Sequence, residues 1–261
     1  MLFCIDIGNT HTHFGRIEPD IRRPSRPQVV PTGRLDHPID GLAPRLREDL
    51  AAHGPVTAIA YCSVVPAANV HLRRTLAPFD APVWQLTAAA QLGVPVTYPH
   101  PAEIGHDRLA NAAGAQALVG APAVVIDLGT AVTFDVLSRT GGYEGGIIAP
   151  GPALMTRYLH ERTAQLPLVE DLTTPVTHPI GRSTAEAMRI GAVLGFAGLI
   201  QACLEAIVSN LRERGEAEPA IITTGGAATA LGNRLRQPMR DVPDLTLRGL
   251  AVAWALSQPT T

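Results

Sequence analysis

The strongest constraint on this chain is a device written into it twice. Leu2-Phe3-Cys4-Ile5-Asp6-Ile7 is a short apolar run ending beside an acid, then Gly8-Asn9-Thr10, then an alternating stretch from Thr12 to Ile17. Ala123-Val124-Val125-Ile126-Asp127-Leu128 repeats it 121 positions later, with Gly129-Thr130 in the turn and an alternating return from Val132 to Leu137. Each copy predicts a β-hairpin. A strand that ends in Asp and turns through Gly and Asn or Thr gathers backbone N–H groups and a hydroxyl beside a carboxylate. Such a turn suits phosphate oxygens and a hard cation. One copy is equally well explained as a tight turn; two at matching positions point to a duplicated phosphate-handling element.

The rest of the chain alternates strand and helix, which predicts an α/β fold. Ile39 to His53 and the alanine-rich Glu103 to Gly120 read as helices, and Val56 to Val65 as a buried strand with Pro66 opening a helix after it. Five prolines and many charges between Glu18 and Pro38 predict a loop or a broken edge strand. Beyond the second hairpin come a Gly-rich turn from Gly141 to Gly151, a helix from about Pro152, and a long helix from Ser183 to about Arg214. A strand from Ala220 to Thr224 then ends in Gly225-Gly226, and Leu247 to Leu256 reads as a last helix. Gly191, Gly195 and Gly198 lie three or four apart on the long helix, spaced for close approach of another helix, in a homodimer or within the domain. With 261 residues and 46% apolar content the chain is long enough for two domains.

Composition removes several kinds of chemistry. All 21 basic residues are arginine and lysine is absent, so there is no Walker A lysine, no protein-kinase strand lysine and no Schiff base. A formal charge of −2 without a basic run gives no footprint for nucleic acid or an anionic membrane. The five residues before Asp6 are too short for a membrane span and lack a basic flank, so a cytoplasmic protein is expected. Cys4, Cys62 and Cys203 are odd in number, widely spaced and without a C-x-x-C pair; they read as small core residues. His11 and His13 share a face of the return strand, but no third or fourth ligand for zinc is evident.

Tyr98 is followed by Pro101-Ala102-Glu103-Ile104-Gly105-His106-Asp107-Arg108. Type III pantothenate kinases carry a near-identical G-A-D-R here, after a first D-x-G-N-T and before a second D-x-G-T-A-x-T, and the chain resembles them in order and spacing. The runs Tyr143 to Gly151, Thr163 to Pro167, Gly181 to Thr184 and Thr224 to Gly226 extend the resemblance over nearly the whole chain. It implies the actin, hexokinase and Hsp70 superfamily: an α/β fold of two actin-like (ribonuclease H-like) domains related by duplication, with a cleft between them. The domains expected are 1–118 and 119–261, the second with dimerisation helices. The activity implied is ATP-dependent phosphorylation of the pantothenate primary hydroxyl, the first step toward coenzyme A, with Mg²⁺ and a monovalent cation, K⁺ or NH₄⁺.

The physical chemistry of the matching positions agrees with the roles implied. Asp107, at a helix start where the dipole favours a carboxylate, is expected to be the general base. Arg108 offers a guanidinium fork for the carboxylate of pantothenate, and Gly105 and His106 complete that loop. Asp6 is expected to orient Mg²⁺, directly or through phosphates and water. Asp6, Ile7, Gly8, Asn9, Thr10, His11, Thr12 and His13 are expected around the ATP phosphates, with Thr130 from the second hairpin. Asp127 is carried over as ligand of the monovalent cation, and Tyr98 and Thr184 as substrate contacts, Thr184 doubling as a possible helix N-cap.

His106 stands where the family usually has Ala; it either tunes the neighbouring acid or points to solvent, and the second is the expectation. Val132 replaces a more usual Thr. Gly225-Gly226 after a strand resembles the adenosine-side loop of the superfamily, but a plain strand-to-helix turn explains it as well, and it is left out of the expected site. Two other functions stay open: a kinase for a sugar or another alcohol, and a regulatory binder of the kind some relatives are described as.

Overall fold

The computed structural model describes residues 1–18, 28–36, 41–226 and 235–259. It divides into two compact units, Met1–Ala121 with Thr140–Glu144 and Asp244–Thr261, and Pro122–Arg139 with Gly145–Pro243.

The first unit holds β1 (Leu2–Ile7), β2 (His11–Glu18), β3 (Gln28–Asp36), β4 (Ala58–Ser63) and β5 (Val83–Gln85), in the order β3-β2-β1-β4-β5. β1 runs antiparallel to β2 and parallel to β4. Because strand side chains alternate, Phe3, Ile5, Ile7, Phe14, Ile59 and Tyr61 share one face. They pack on Leu42 and Leu46 of α1 (Leu42–His53) and on Leu72 and Leu76 of α2 (Pro66–Leu76). Each such buried apolar side chain contributes about 1.5–3 kcal/mol. Leu2, Cys4, Ala58, Ala60 and Cys62 alternate onto the other face, toward α3 (His106–Leu118) and α6 (Leu245–Leu256). These two helices touch backbone to backbone: a Cβ on Gly249 would lie 1.7 Å from the Ala110 carbonyl oxygen. Thr246 Oγ1 donates to Asn111 Oδ1 at 2.8 Å across the same contact. The C-terminal helix therefore belongs to the first unit, whereas sequence order alone grouped it with the second half.

The second sheet holds β6 (Ala123–Leu128), β7 (Ala131–Ser138), β8 (Gly142–Pro150), β9 (Ala220–Thr224) and β10 (Arg240–Asp241), in the order β10-β9-β6-β7-β8, and belongs to the second unit apart from the first three residues of β8. Read from the other edge this is the topology of the first sheet. Its central strand is again antiparallel to the hairpin partner and parallel to a later strand. The acids occupy equivalent registers: Asp6 sits opposite His13 and Cys62, Asp127 opposite Thr133 and Thr224. The duplication expected from two hairpins extends to all five strands of each sheet.

The third strand of each sheet lies in a stretch rich in glycine or proline, and only in the second sheet does this depart from the expectation. Gly141 to Gly151 was expected as a turn, yet Gly142–Pro150 is strand β8. Its glycines serve close packing: Gly146 has φ +157°, and a Cβ there would lie 1.7 Å from the Phe134 carbonyl oxygen. β3 falls within the stretch expected as loop or broken edge strand, and it is the edge of its sheet, where Pro31 costs no ladder bond. The rest of that stretch, 19–27 and 37–38, lies outside the described residues.

α4 (Pro152–Glu161) and α5 (Thr184–Glu213) complete the second unit. Phe196, Ile200, Leu204, Val208 and Leu211 of α5 cover Val124, Ile126, Leu128 and Phe134. The opposite side of α5 carries Gly191, Gly195 and Gly198, and among the described residues nothing lies within 4 Å of where their Cβ atoms would be. By length and composition alone α5 would also suit a membrane, with a mean hydropathy of 1.9 over its most apolar stretch, a third of which is buried.

Candidate active site

In the first unit, β1 delivers Asp6 to the C-terminal end of its sheet, and Gly8 N–H donates to the His11 carbonyl at 3.0 Å to close the turn. Asn9 and Thr10 are exposed at the tip. The alternation of β2 then separates its residues. His13 lies beside Asp6, and the His11 and His13 rings stack with centroids 6.5 Å apart. Thr12 is 1% exposed with its hydroxyl buried and unpartnered, and Ile7 is in the apolar core. Of the residues expected around phosphate, the side chains of Ile7 and Thr12 are thus turned inward, because a strand cannot present consecutive residues to one face. On the other side of Asp6, Cys62 of β4 donates its thiol hydrogen to Asp6 Oδ1 at 3.3 Å.

α3 starts at the same end of this unit. Gly105 is its N-cap and Asp107 lies in its first turn, Oδ1 accepting the Arg108 N–H at 2.8 Å. Glycine at 105 is what allows the carboxylate to fold back, since a Cβ there would lie 2.5 Å from Asp107 Oδ1. Burial pushes the Asp107 carboxyl above its ordinary range, opposed by the Arg108 N–H, the Arg108 guanidinium and His106. Burial, then the charges of Asp6 and Asp107, push the Cys62 thiol far up, so the two carboxylates act on one sulfur. His106, expected to face solvent, instead has a buried Nδ1 with no hydrogen-bond partner.

Arg108 is 8% exposed, and its guanidinium carbon lies 6.0 Å from the centre of the Tyr143 ring. Tyr143 also clamps the segment that leads to Tyr98: its N–H donates to the Pro95 carbonyl at 2.8 Å, and its carbonyl accepts from Thr97 N–H at 3.0 Å. One buried aromatic residue therefore holds the surroundings of both Arg108 and Tyr98.

In the second unit, Asp127 ends β6 as Asp6 ends β1, and Gly129 and Thr130 are exposed in the turn. The carbonyl oxygens of Gly129 and Thr130 crowd Gly151, where a Cβ would lie 2.6 Å from each, and Gly151 N–H donates to the Thr130 carbonyl at 2.9 Å. Gly225, set aside in the sequence as a plain turn, has φ +89° and leaves no room for a Cβ, which would lie 2.7 Å from Asp127 Oδ1. Thr184 is exposed at the first position of α5. The cap is its neighbour: Ser183 Oγ accepts Glu186 N–H at 3.2 Å, and Glu186 Oε2 accepts Arg182 N–H at 2.7 Å.

A sequence model of the type III pantothenate kinase family matches residues 2–206. A type III pantothenate kinase of Akkermansia muciniphila is 41% identical over 253 residues, covering 97% of this chain and 98% of its own. The chain belongs to the type III pantothenate kinase family. Among solved structures, a Campylobacter jejuni protein described as a Baf family transcriptional activator aligns with TM-score 0.58 and 20% identity over 95% of this chain and 94% of its own. A Sinorhizobium meliloti protein described as a 2-dehydro-3-deoxygalactonokinase aligns with TM-score 0.56 and 16% identity over 100% and 98%. At these identities the two structures speak for the fold alone, an actin-like fold in duplicate.

Within this family member, the first unit brings Asp6, His13, Gly105, His106, Asp107 and Arg108 to one end of its sheet, and the second gathers Asp127, Gly129 and Thr130. Cys62, Tyr143 and Gly225 were not singled out for the site. Cys62 comes beside Asp6 through the β1–β4 register, which alternation within either strand does not give, and the clamp by Tyr143 depends on the strand that its glycines concealed.

Proposed function

We propose that this chain transfers the γ-phosphate of ATP to the primary hydroxyl of pantothenate, giving 4'-phosphopantothenate and ADP, the first step of coenzyme A biosynthesis. The observation that carries this reading is family membership over nearly the full length of the chain, with Asp6, Asp107, Arg108 and Asp127 all in place.

The chemistry asks for a base, a grip on the substrate carboxylate and a hold on the polyphosphate. Asp107 accepts the hydroxyl proton as the hydroxyl oxygen bonds to the γ-phosphorus and the bond to the β–γ bridging oxygen breaks. Burial suits it to the task, because a carboxyl raised above its ordinary range is a stronger base once ionised. Arg108, held by Tyr143, binds the pantothenate carboxylate, and Gly105, His106 and Tyr98 line the acceptor, with Thr184 of a second copy of the chain as a further contact in a dimer. The unpartnered Nδ1 of His106 is a polar atom that an acceptor would satisfy.

The backbone from Gly8 to His13 is the phosphate-binding turn of the first unit, and Thr130 is the phosphate contact that the family resemblance implies for the second. Two carboxylate-bearing turns built from oxygen donors fit hard cations. Asp6 would hold Mg²⁺, and Asp127 with the carbonyl-lined turn at Gly129 and Thr130 would hold the monovalent cation, K⁺ or NH₄⁺. When bound, these ions supply charge neutralisation for the transferring phosphoryl group.

Two copies of the chain associate through the glycine side of α5. A helix side of small residues with no described residue against it is suited to a second helix at close range, and it gives the apolar length of α5 a use in water.

The test is a panel of acceptors, with pantothenate beside sugars and other primary alcohols, in which ADP release is followed and the phosphorylated product identified by mass spectrometry. Pantothenate is expected to be the preferred acceptor. A preference for a sugar, or binding of a protein partner with no acceptor phosphorylated, would replace this reading with one of its rivals.

A further inference from the structure

We infer that Cys62 is a positioning residue for Asp6, its thiol hydrogen fixing the rotation of the carboxylate that faces Mg·ATP; this rests on the kinase reading above. Cys62 lies directly across from Asp6 in the β1–β4 register, and Sγ is 3.3 Å from Asp6 Oδ1. The sulfur is wholly buried, on the sheet face covered by α3 and α6. A buried donor with its acceptor at hand is held in one geometry, and a hydrogen bond to a carboxylate is stronger than one to a neutral group.

The duplication supplies an internal comparison. The residue across from Asp127 in the second sheet is Thr224, and its hydroxyl donates to the Pro243 carbonyl at 3.2 Å, not to the acid. At the same register the two halves therefore treat their acids differently: Asp6 receives a donor from the neighbouring strand, and the hydroxyl opposite Asp127 is spent elsewhere.

The experiment compares Cys62→Ser, which keeps a donor, with Cys62→Ala and Cys62→Val, which remove it. The readout is binding of a fluorescent ATP analogue titrated with Mg²⁺ and with no acceptor present, alongside thermal unfolding of each variant. Loss of the donor is expected to raise the Mg²⁺ concentration for half-maximal nucleotide binding about tenfold, with Cys62→Ser close to wild type. A role in packing alone would lower the melting temperature and leave the Mg²⁺ dependence unmoved. Should Cys62→Val fail to fold, the comparison of Cys62→Ala with Cys62→Ser decides. Equal Mg²⁺ dependence in Ala and Ser variants would overturn the inference. Absence of Mg²⁺-dependent ATP binding by the wild-type chain would instead overturn the kinase reading on which it rests.

Discussion

Replacing Asp107 with Asn separates chemistry from folding, because the structure assigns the two oxygens of that side chain unequal work. Oδ1 accepts the Arg108 N–H at 2.8 Å, and an amide oxygen accepts the same bond, which is worth about 1 kcal/mol. What Asn lacks is a basic site for the hydroxyl proton. Loss of a general base costs about 10²–10⁴ in rate, or about 2.7–5.4 kcal/mol of transition-state stabilisation. The sign of the stability change follows from burial. A carboxyl whose folded pKa is raised favours the native state most when protonated, below its unfolded value, and that contribution is lost as pH rises through the folded value. Wherever the group is ionised in the folded chain it is therefore a burden, and the neutral amide is expected to unfold at the same temperature as wild type or higher. The assay pairs pantothenate-dependent ADP release with thermal unfolding, and records wild-type kcat/KM against pH, whose acid limb should lie above the ordinary carboxylate value of about 3.9. An Asn variant with normal turnover would remove Asp107 as the base. An inactive variant that melts well below wild type would mean that its inactivity reports misfolding.

Gly105→Ala should act on the same carboxylate from the other side: the new methyl carbon would lie 2.5 Å from Asp107 Oδ1, so turnover should fall tenfold or more while Mg²⁺-dependent ATP binding is kept. Arg16 is wholly buried at the end of β2, with Nε 2.6 Å from Asp49 Oδ2 and its terminal nitrogens on the carbonyls of His53 and Gly54, which cap the end of α1. Arg16→Met strands those acceptors and should cost about 3–5 kcal/mol in urea unfolding, with the kinetic constants of the remaining folded protein unchanged. Gly195→Arg should convert a dimer into a monomer in analytical ultracentrifugation without detergent, a result that an unchanged sedimentation coefficient would refute.

The parts of the fold legible in the sequence are those where periodicity and composition agree. β1, β6 and β9 open on apolar runs, and their bounds coincide with the expectation; α5 is long and continuous enough to be found within a residue at each end. Glycine misleads in β8, where it lets one strand press against another, whereas the proline-rich stretch expected as a loop or broken edge strand does hold the edge strand β3, with its register break. The three-residue β5 and two-residue β10 are too short to show any period. The site divides in the same way. Asp6, Asp107 and Asp127 were visible as acids at strand ends and a helix start. The inward turn of Thr12, the buried nitrogen of His106 and the pairing of Cys62 with Asp6 depend on which face each residue occupies, and that becomes definite only once register and helix placement are known.

The most direct measurement is ADP release by the purified chain with pantothenate as acceptor, run in parallel in potassium and sodium buffers with Mg²⁺. The account predicts release that depends on pantothenate and is faster in potassium, with 4'-phosphopantothenate as the product. Release no faster than in the absence of acceptor, in either buffer, would contradict it.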